Sequence, residues 1–165
     1  MNDSVKFGGE NERLGRFAYA HRIEDVEGTL RVVLTGTYEG EKGTGISEGL
    51  RDDVKEALKE SCPLLTNEDE AYEIIFPEYI MYQVRTEEYC SWDEYEIRKG
   101  HILCIFERSR LLDYREIAVD CCGELASGGY HPGKWTHYGI YSDFQIIDVI
   151  THKEPIIKKI VMEAE

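Results

Sequence analysis

The sequence predicts an α+β fold: a single globular domain over 16–165 behind a flexible polar lead at 1–15. Its centre is a mainly antiparallel sheet of six to eight strands. Two principal helices, at about 46–60 and 109–122, are expected to pack on one face of that sheet. Three observations carry this expectation. Short runs with period-two alternation recur between turn residues, which is the signature of half-buried strands. Only two stretches place apolar residues at helical spacing. Strands and helices are also grouped rather than alternated, which disfavours a parallel α/β sheet.

The lead ends in glycines at 8, 9 and 15. From Arg16 to Ile23 the chain alternates, with Phe17, Tyr19, His21 and Ile23 on one side. A polar turn at 24–28 separates this run from 29–38, where Leu30, Val32, Leu34 and Tyr38 share a face. Two alternating runs about a Gly-ended turn predict a hairpin. After a loop at 39–45, Ile46, Leu50, Val54 and Leu58 form one stripe at spacing four. Asp52–Lys55 and Glu56–Lys59 are the i,i+3 pairs of its wet side. Pro63 ends this helix.

An acidic connector at 66–71 leads into 72–85, which is rich in Ile and Tyr but broken by Pro77. A proline there predicts two short strands or a bent edge strand. The most complete unit in the chain is 92–123. It holds an alternating strand through Tyr95 and Ile97, a Lys99-Gly100 turn, the apolar run 101–107 and an amphipathic helix. Ser109 is the expected N-cap of that helix and Gly123 its stop. Apolar residues on both sides of 101–107 predict a strand covered on both faces. A glycine-rich loop at 123–135 follows. The chain closes with 136–141, 144–150 and 155–161, of which 144–150 reads as strand despite the Ser142/Gln145 capping pattern.

Composition narrows the function classes. The 165 residues carry 33 acidic and 19 basic side chains, a net charge of −14 with His neutral. The charge is concentrated between residues 61 and 100, where ten acids face three bases. A field of this sign repels nucleic acid and anionic membrane, and steers basic partners inward. Five cysteines, two of them adjacent, and a polar start without an apolar signal segment predict a reduced, cytoplasmic protein. No apolar run is long enough to span a bilayer.

No catalytic, cofactor-binding or metal-binding residue is expected. Cys104 lies in an apolar strand and Cys121 and Cys122 at a helix C-terminus, where the dipole disfavours a thiolate. His131 and His137 flank a loop without the paired-ligand spacing of a zinc site. The many carboxylate pairs are the chance product of an acidic composition. An enzyme or metal-binding protein using the His131/His137 loop with a thiol or carboxylate is the alternative reading.

The leading expectation is a protein-binding module. Tyr79, Tyr82, Glu87, Glu88, Tyr89, Trp92, Asp93, Glu94, Tyr95 and Glu96 interleave large aromatic area with carboxylates, a composition suited to a basic partner. In size, acidity and aromatic content the chain resembles bacterial immunity proteins, and that resemblance implies an inhibitor that occludes a basic toxin or nuclease. A homodimer or larger assembly of structural role, formed through the apolar faces of 101–107, is a further reading.

Overall fold

A computed structural model describes residues 5–118 and 134–162. The predicted hairpin is formed by β1 (Ala18–Val26) and β2 (Thr29–Glu39). Its turn is tighter than the sequence suggested: Glu27 and Gly28 alone make it, with φ of 52° and 78°. Two successive left-handed residues match the right-handed twist of the flanking strands. Helix α1 (Asp52–Leu58) then precedes β3 (Leu64–Phe76) and β4 (Met81–Thr86). The unit that follows contains β5 (Ile97–Lys99), β6 (Leu103–Arg108) and α2 (Arg110–Ala118). Strands β7 (Thr136–Tyr141), β8 (Gln145–Thr151) and β9 (Ile156–Ile160) complete the described chain.

The α+β class holds, but the described strands form two antiparallel sheets instead of one. Their orders are β1-β2-β3-β9 and β4-β8-β7-β6-β5. Nine strands appear among the described residues where six to eight were expected, and β3 is longer than expected because the acidic connector 66–71 is part of it. Within the connector Glu70 meets Arg13 and Lys159, and just beyond it Glu73 meets Arg31. Pro77 ends β3, since it cannot donate to a ladder, and the chain passes there into the second sheet.

The two sheets share one core. Leu30, Val32 and Leu34 of β2 and Ile74 and Phe76 of β3 cluster with Leu103, Ile140, Ile147 and Val149 of the other sheet. The Phe76 ring lies 5.9 Å from that of Tyr138. The lead belongs to this packing rather than lying outside it. Val5 and Leu14 are buried, and the Phe7 ring lies 4.9 Å from Tyr138. Gly8 donates its amide to Leu103 O at 2.8 Å. Gly15, at φ 66°, runs so close to β2 that a Cβ would sit 2.0 Å from Thr37 O. Apolar side chains at 5, 7 and 14 with glycines between them make a close-fitting strap, which a reading by polarity alone takes for a tail.

The helices contribute less than expected. Helix α1 buries no residue and is shorter than 46–60, with glycines at 45 and 49 weakening its first turns. Helix α2 buries Leu111 alone among its residues. The layer over the inner face of each sheet is the other sheet, so two helices do not jointly cover one face. The expected extension of α2 through 119–122, its Gly123 stop and the glycine loop to 133 lie outside the described residues. No helix among the described residues is long and apolar enough to cross a membrane.

Glu70 joins the lead to the first sheet, accepting from Tyr72 Oη at 2.5 Å, Arg13 Nη1 at 2.6 Å and Lys159 Nζ at 3.0 Å. The Tyr72 hydroxyl, Arg13 and Lys159 hold its carboxyl at about 2, against an ordinary 4.5. A depressed carboxylate stabilises the fold above its unfolded pKa, and this stabilisation is lost as pH falls through the folded one. Glu70→Gln is therefore expected to cost on the order of 1 kcal/mol at pH 7, the half-exposed cations limiting the effect. In urea unfolding measured down the acid range, the gap to wild type should close between 4.5 and about 2.

Candidate functional site

The alternation of the second sheet divides its side chains between two environments. Inner positions, such as Tyr82, Val149, Tyr138 and Ile105, face the first sheet. The register places Gln83 and Arg85 of β4, Ile146 and Asp148 of β8, His137 and Tyr141 of β7, Cys104 and Phe106 of β6, and Arg98 of β5 on the outer face. This outer face carries the polar chemistry of the molecule.

Its centre is Asp148, buried completely. Oδ1 accepts from His137 Nε2 at 3.0 Å. Oδ2 accepts from Gln83 Nε2 at 3.0 Å and Arg85 Nε at 2.9 Å, and Arg85 Nη2 lies 2.8 Å away as an ion pair. Burial alone would raise the Asp148 pKa, but His137, the Gln83 amide and the Arg85 charge outweigh it and hold the carboxyl below the usual range. The chain continues beyond the imidazole: His137 Nδ1 lies 2.7 Å from Ser109 Oγ. Ser109 Oγ also accepts the Leu112 amide at 3.1 Å, which makes it the N-cap of α2, as expected. The network is complete with the proton on Nε2, donated to Asp148, while Nδ1 accepts the Ser109 hydroxyl. The Phe106 ring stacks on His137 at 4.0 Å and 6° between planes.

A serine, a histidine and an aspartate in series are the parts of an acyl-transfer triad. Here all three are buried and the serine oxygen is occupied by a helix amide. The arrangement braces β4, β7, β8 and the start of α2 and offers no attacking oxygen.

The second element of the site follows from topology. Strands β4 and β5 are the opposite edges of the five-stranded sheet, so residues 87–96 must cross from one edge to the other. They form a strap over the outer face, opening with a single 3-10 turn at Glu87–Tyr89. Three arginines hold it. Asp93 accepts from Arg110 Nε at 3.0 Å, and Arg108 Nε donates to Tyr95 O at 2.7 Å. The Tyr95 ring faces the Arg108 and Arg110 guanidinium groups at 4.6 and 4.1 Å. Arg98 lies 3.9 Å from the Tyr141 ring centre and 5.6 Å from that of Trp92, so its charge rests between two π faces.

Beneath the strap is a cavity of about 540 Å³. Arg85, Arg98, Tyr141 and Ile146 of the sheet face it, with Trp92 from the strap and Phe17 from the segment before β1. Gly139 lies beside this floor at the middle of β7. A Cβ there would come within 2.8 Å of the Phe106 ring and 3.2 Å of the Tyr141 ring, so the missing side chain makes room for both. Burial pushes the Tyr141 hydroxyl up to about 12, with Arg98 opposing and Asp148 adding to the rise.

The ten residues expected to bind a partner are distributed over three settings. Tyr79 and Tyr82 leave the group: their rings meet edge to face at 5.1 Å, Tyr79 bonds Asp25, and both pack at the margin of the core. Asp93, Tyr95 and Glu96 are engaged within the chain, the last accepting the Arg110 amide at 3.3 Å. Glu87, Glu88, Tyr89, Trp92 and Glu94 remain exposed on the strap. Tyr89 is 84% and Trp92 75% exposed. None of Glu87, Glu88 and Glu94 has a cation partner among the described residues.

His137, read as one of two loop histidines, is a buried strand residue; His131 lies outside the described residues, as do Cys121 and Cys122. Among the described residues no group of three His, Cys, Asp or Glu side chains converges on a metal position. Cys104 is buried, and burial pushes its thiol up to about 11. Both faces of β6 are covered within the chain, since Leu103, Cys104 and Phe106 are all buried. The apolar residues that suggested a second copy are thus already in use.

Sequence reasoning missed Asp148, Arg85, Arg98 and Tyr141. One signal was present: a lone Asp inside the apolar run at 144–150 has to find buried partners. Replacing Asp148 with Asn leaves Arg85 without its counter-charge and is expected to cost about 3 kcal/mol of stability in chemical unfolding. Iodoacetamide should label Cys62 in the native protein and Cys104 only after unfolding, read by peptide mass spectrometry.

No family model, no curated protein and no solved structure matches this chain, so its function is read from the site itself.

Proposed function

We propose that the protein is a binding module that recognises a basic protein partner through the outside of the 87–96 strap. One observation carries the reading: Tyr89 and Trp92, both largely exposed, stand among three carboxylates that no cation of the described chain neutralises. Large aromatic side chains with little rotamer entropy are the usual energetic anchors of interfaces. Carboxylates beside them pair with Lys and Arg of a partner and set its orientation. The net charge of −14 extends this preference beyond contact range and raises the encounter rate at low salt.

The strap also suits the task mechanically. It is tied to the sheet by Arg98 and to α2 by Arg110, so its two aromatics are presented on a fixed support and lose little freedom on binding. A partner whose basic active cleft accepted Trp92 would be blocked by occlusion, the mode of a toxin or nuclease inhibitor.

The test begins with affinity capture from the native cell and identification of any stoichiometric partner by mass spectrometry. With that partner purified, Glu88→Lys combined with Glu94→Lys should slow association about tenfold or more at low salt. Trp92→Ala should instead speed dissociation by about thirtyfold, the loss of a hot-spot anchor. Absence of a stoichiometric basic partner, or an association rate indifferent to the charge reversal, removes the proposal.

A further inference from the structure

We infer that the cavity beneath the strap is a binding site for a small aromatic monocarboxylate, a site that shares Trp92 and Glu87 with the partner surface but has its own floor on the sheet. Its size of about 540 Å³ lies within the range of pockets that enclose small organic ligands. Phe17, Trp92, Ile97, Ile102 and Ile146 supply apolar wall, which suits a flat hydrocarbon body.

The choice of a carboxylate comes from the guanidinium groups. Arg98 has no acidic partner among the described residues; its faces are taken by Trp92 and Tyr141. Stacking leaves the in-plane N–H donors of a guanidinium free, and these form the fork that matches a carboxylate. Arg85 reaches the same cavity from the opposite sheet edge. Its Nε and Nη2 are held by Asp148, which aims the group, and its Nη1 has no hydrogen-bond partner among the described residues. The Tyr141 hydroxyl stays protonated and can donate as well.

The limit to one negative charge comes from the acids in the same wall. Asp93 is paired with the Arg110 guanidinium, but Glu87, Glu96 and Asp143 also line the cavity with no cation partner among the described residues, Glu96 accepting only the Arg110 backbone amide. A dianion such as a phosphate monoester would share the cavity with these three carboxylates against Arg16 and Arg98, whereas a monoanion needs only the fork of Arg98.

Titration calorimetry and Trp fluorescence with 2-naphthoate test the assignment, with 2-naphthylmethanol as its uncharged counterpart and 2-naphthyl phosphate as the dianion. Naphthoate is expected to bind at least about tenfold more tightly than the alcohol, and Arg98→Gln to remove that advantage. Arg98→Lys keeps the charge but loses the fork and should also weaken binding, which covers the case of an Arg98→Gln chain that fails to fold. Arg31→Gln, on the other sheet beside Glu73, should bind as wild type does. No binding of naphthoate, equal binding of acid and alcohol, unchanged binding in a folded Arg98 variant, or tighter binding of the phosphate would each overturn the inference. The Glu88→Lys, Glu94→Lys chain should keep its naphthoate affinity, because neither residue lines the cavity. Because Trp92 and Glu87 belong to both, the two readings are separated by this variant, which alters only the partner surface, and by Arg98→Gln, which alters the cavity floor.

Discussion

The outer face of the five-stranded sheet depends on one buried carboxylate. Asp148 sits in the centre of β8, where every neighbouring position on its own strand is apolar, and its charge can persist there only if several donors surround it. Those donors come from β4 through Gln83 and Arg85, and from β7 through His137. His137 passes the constraint to Ser109 and so to the first turn of α2. A single unsatisfied charge would be costly, so the register of three strands and the entry of a helix are tied to satisfying it. Directional bonds of this kind specify an arrangement that apolar packing alone would leave open.

The same bonding prepares the cavity. Arg85 is aimed by Asp148, and Gly139 leaves room for the Phe106 and Tyr141 rings. Arg98, from the far edge, completes the floor by lying on Tyr141. What turns this floor into a pocket is the connection between the two edge strands. Because β4 and β5 are consecutive in sequence but separated by three strands in the sheet, their link has to cross the face. Arginines on β5, β6 and α2 then hold it by stacking and ion pairing, individually weak contacts that act together on one short segment.

The acidity of the chain takes on a different meaning in three dimensions. The densest acidic stretch is partly spent on internal contacts, Glu70 on Arg13 and Lys159 and Asp93 on Arg110, and beyond it Asp148 is spent on Arg85. Among the described residues, Glu87, Glu88, Glu94 and Glu96 of the strap have no cation partner, the first three exposed beside the two most exposed aromatics of that segment. The strap thus carries acidic and aromatic side chains on its outside and lies over a floor that holds Arg85 and Arg98.

Much of the local structure was legible in the sequence because it depends on neighbours in the chain. The β1–β2 hairpin follows from alternation about a glycine turn, Ser109 caps α2, and the run containing Asp148 is a strand, each set by contacts within a few residues. The division into two sheets was not legible, because it depends on which strand meets which. The acidic residues 66–71 read as a loop until Lys159 and Arg13, far away in the chain, supply their charge. The site was hidden for the same reason. Arg85, Arg98, Tyr141 and Asp148 have no common spacing, and only antiparallel register places them on one face. Composition by itself determined that this is an acidic α+β chain rich in tyrosine; tertiary pairing decided which of those charges and rings remain free to act.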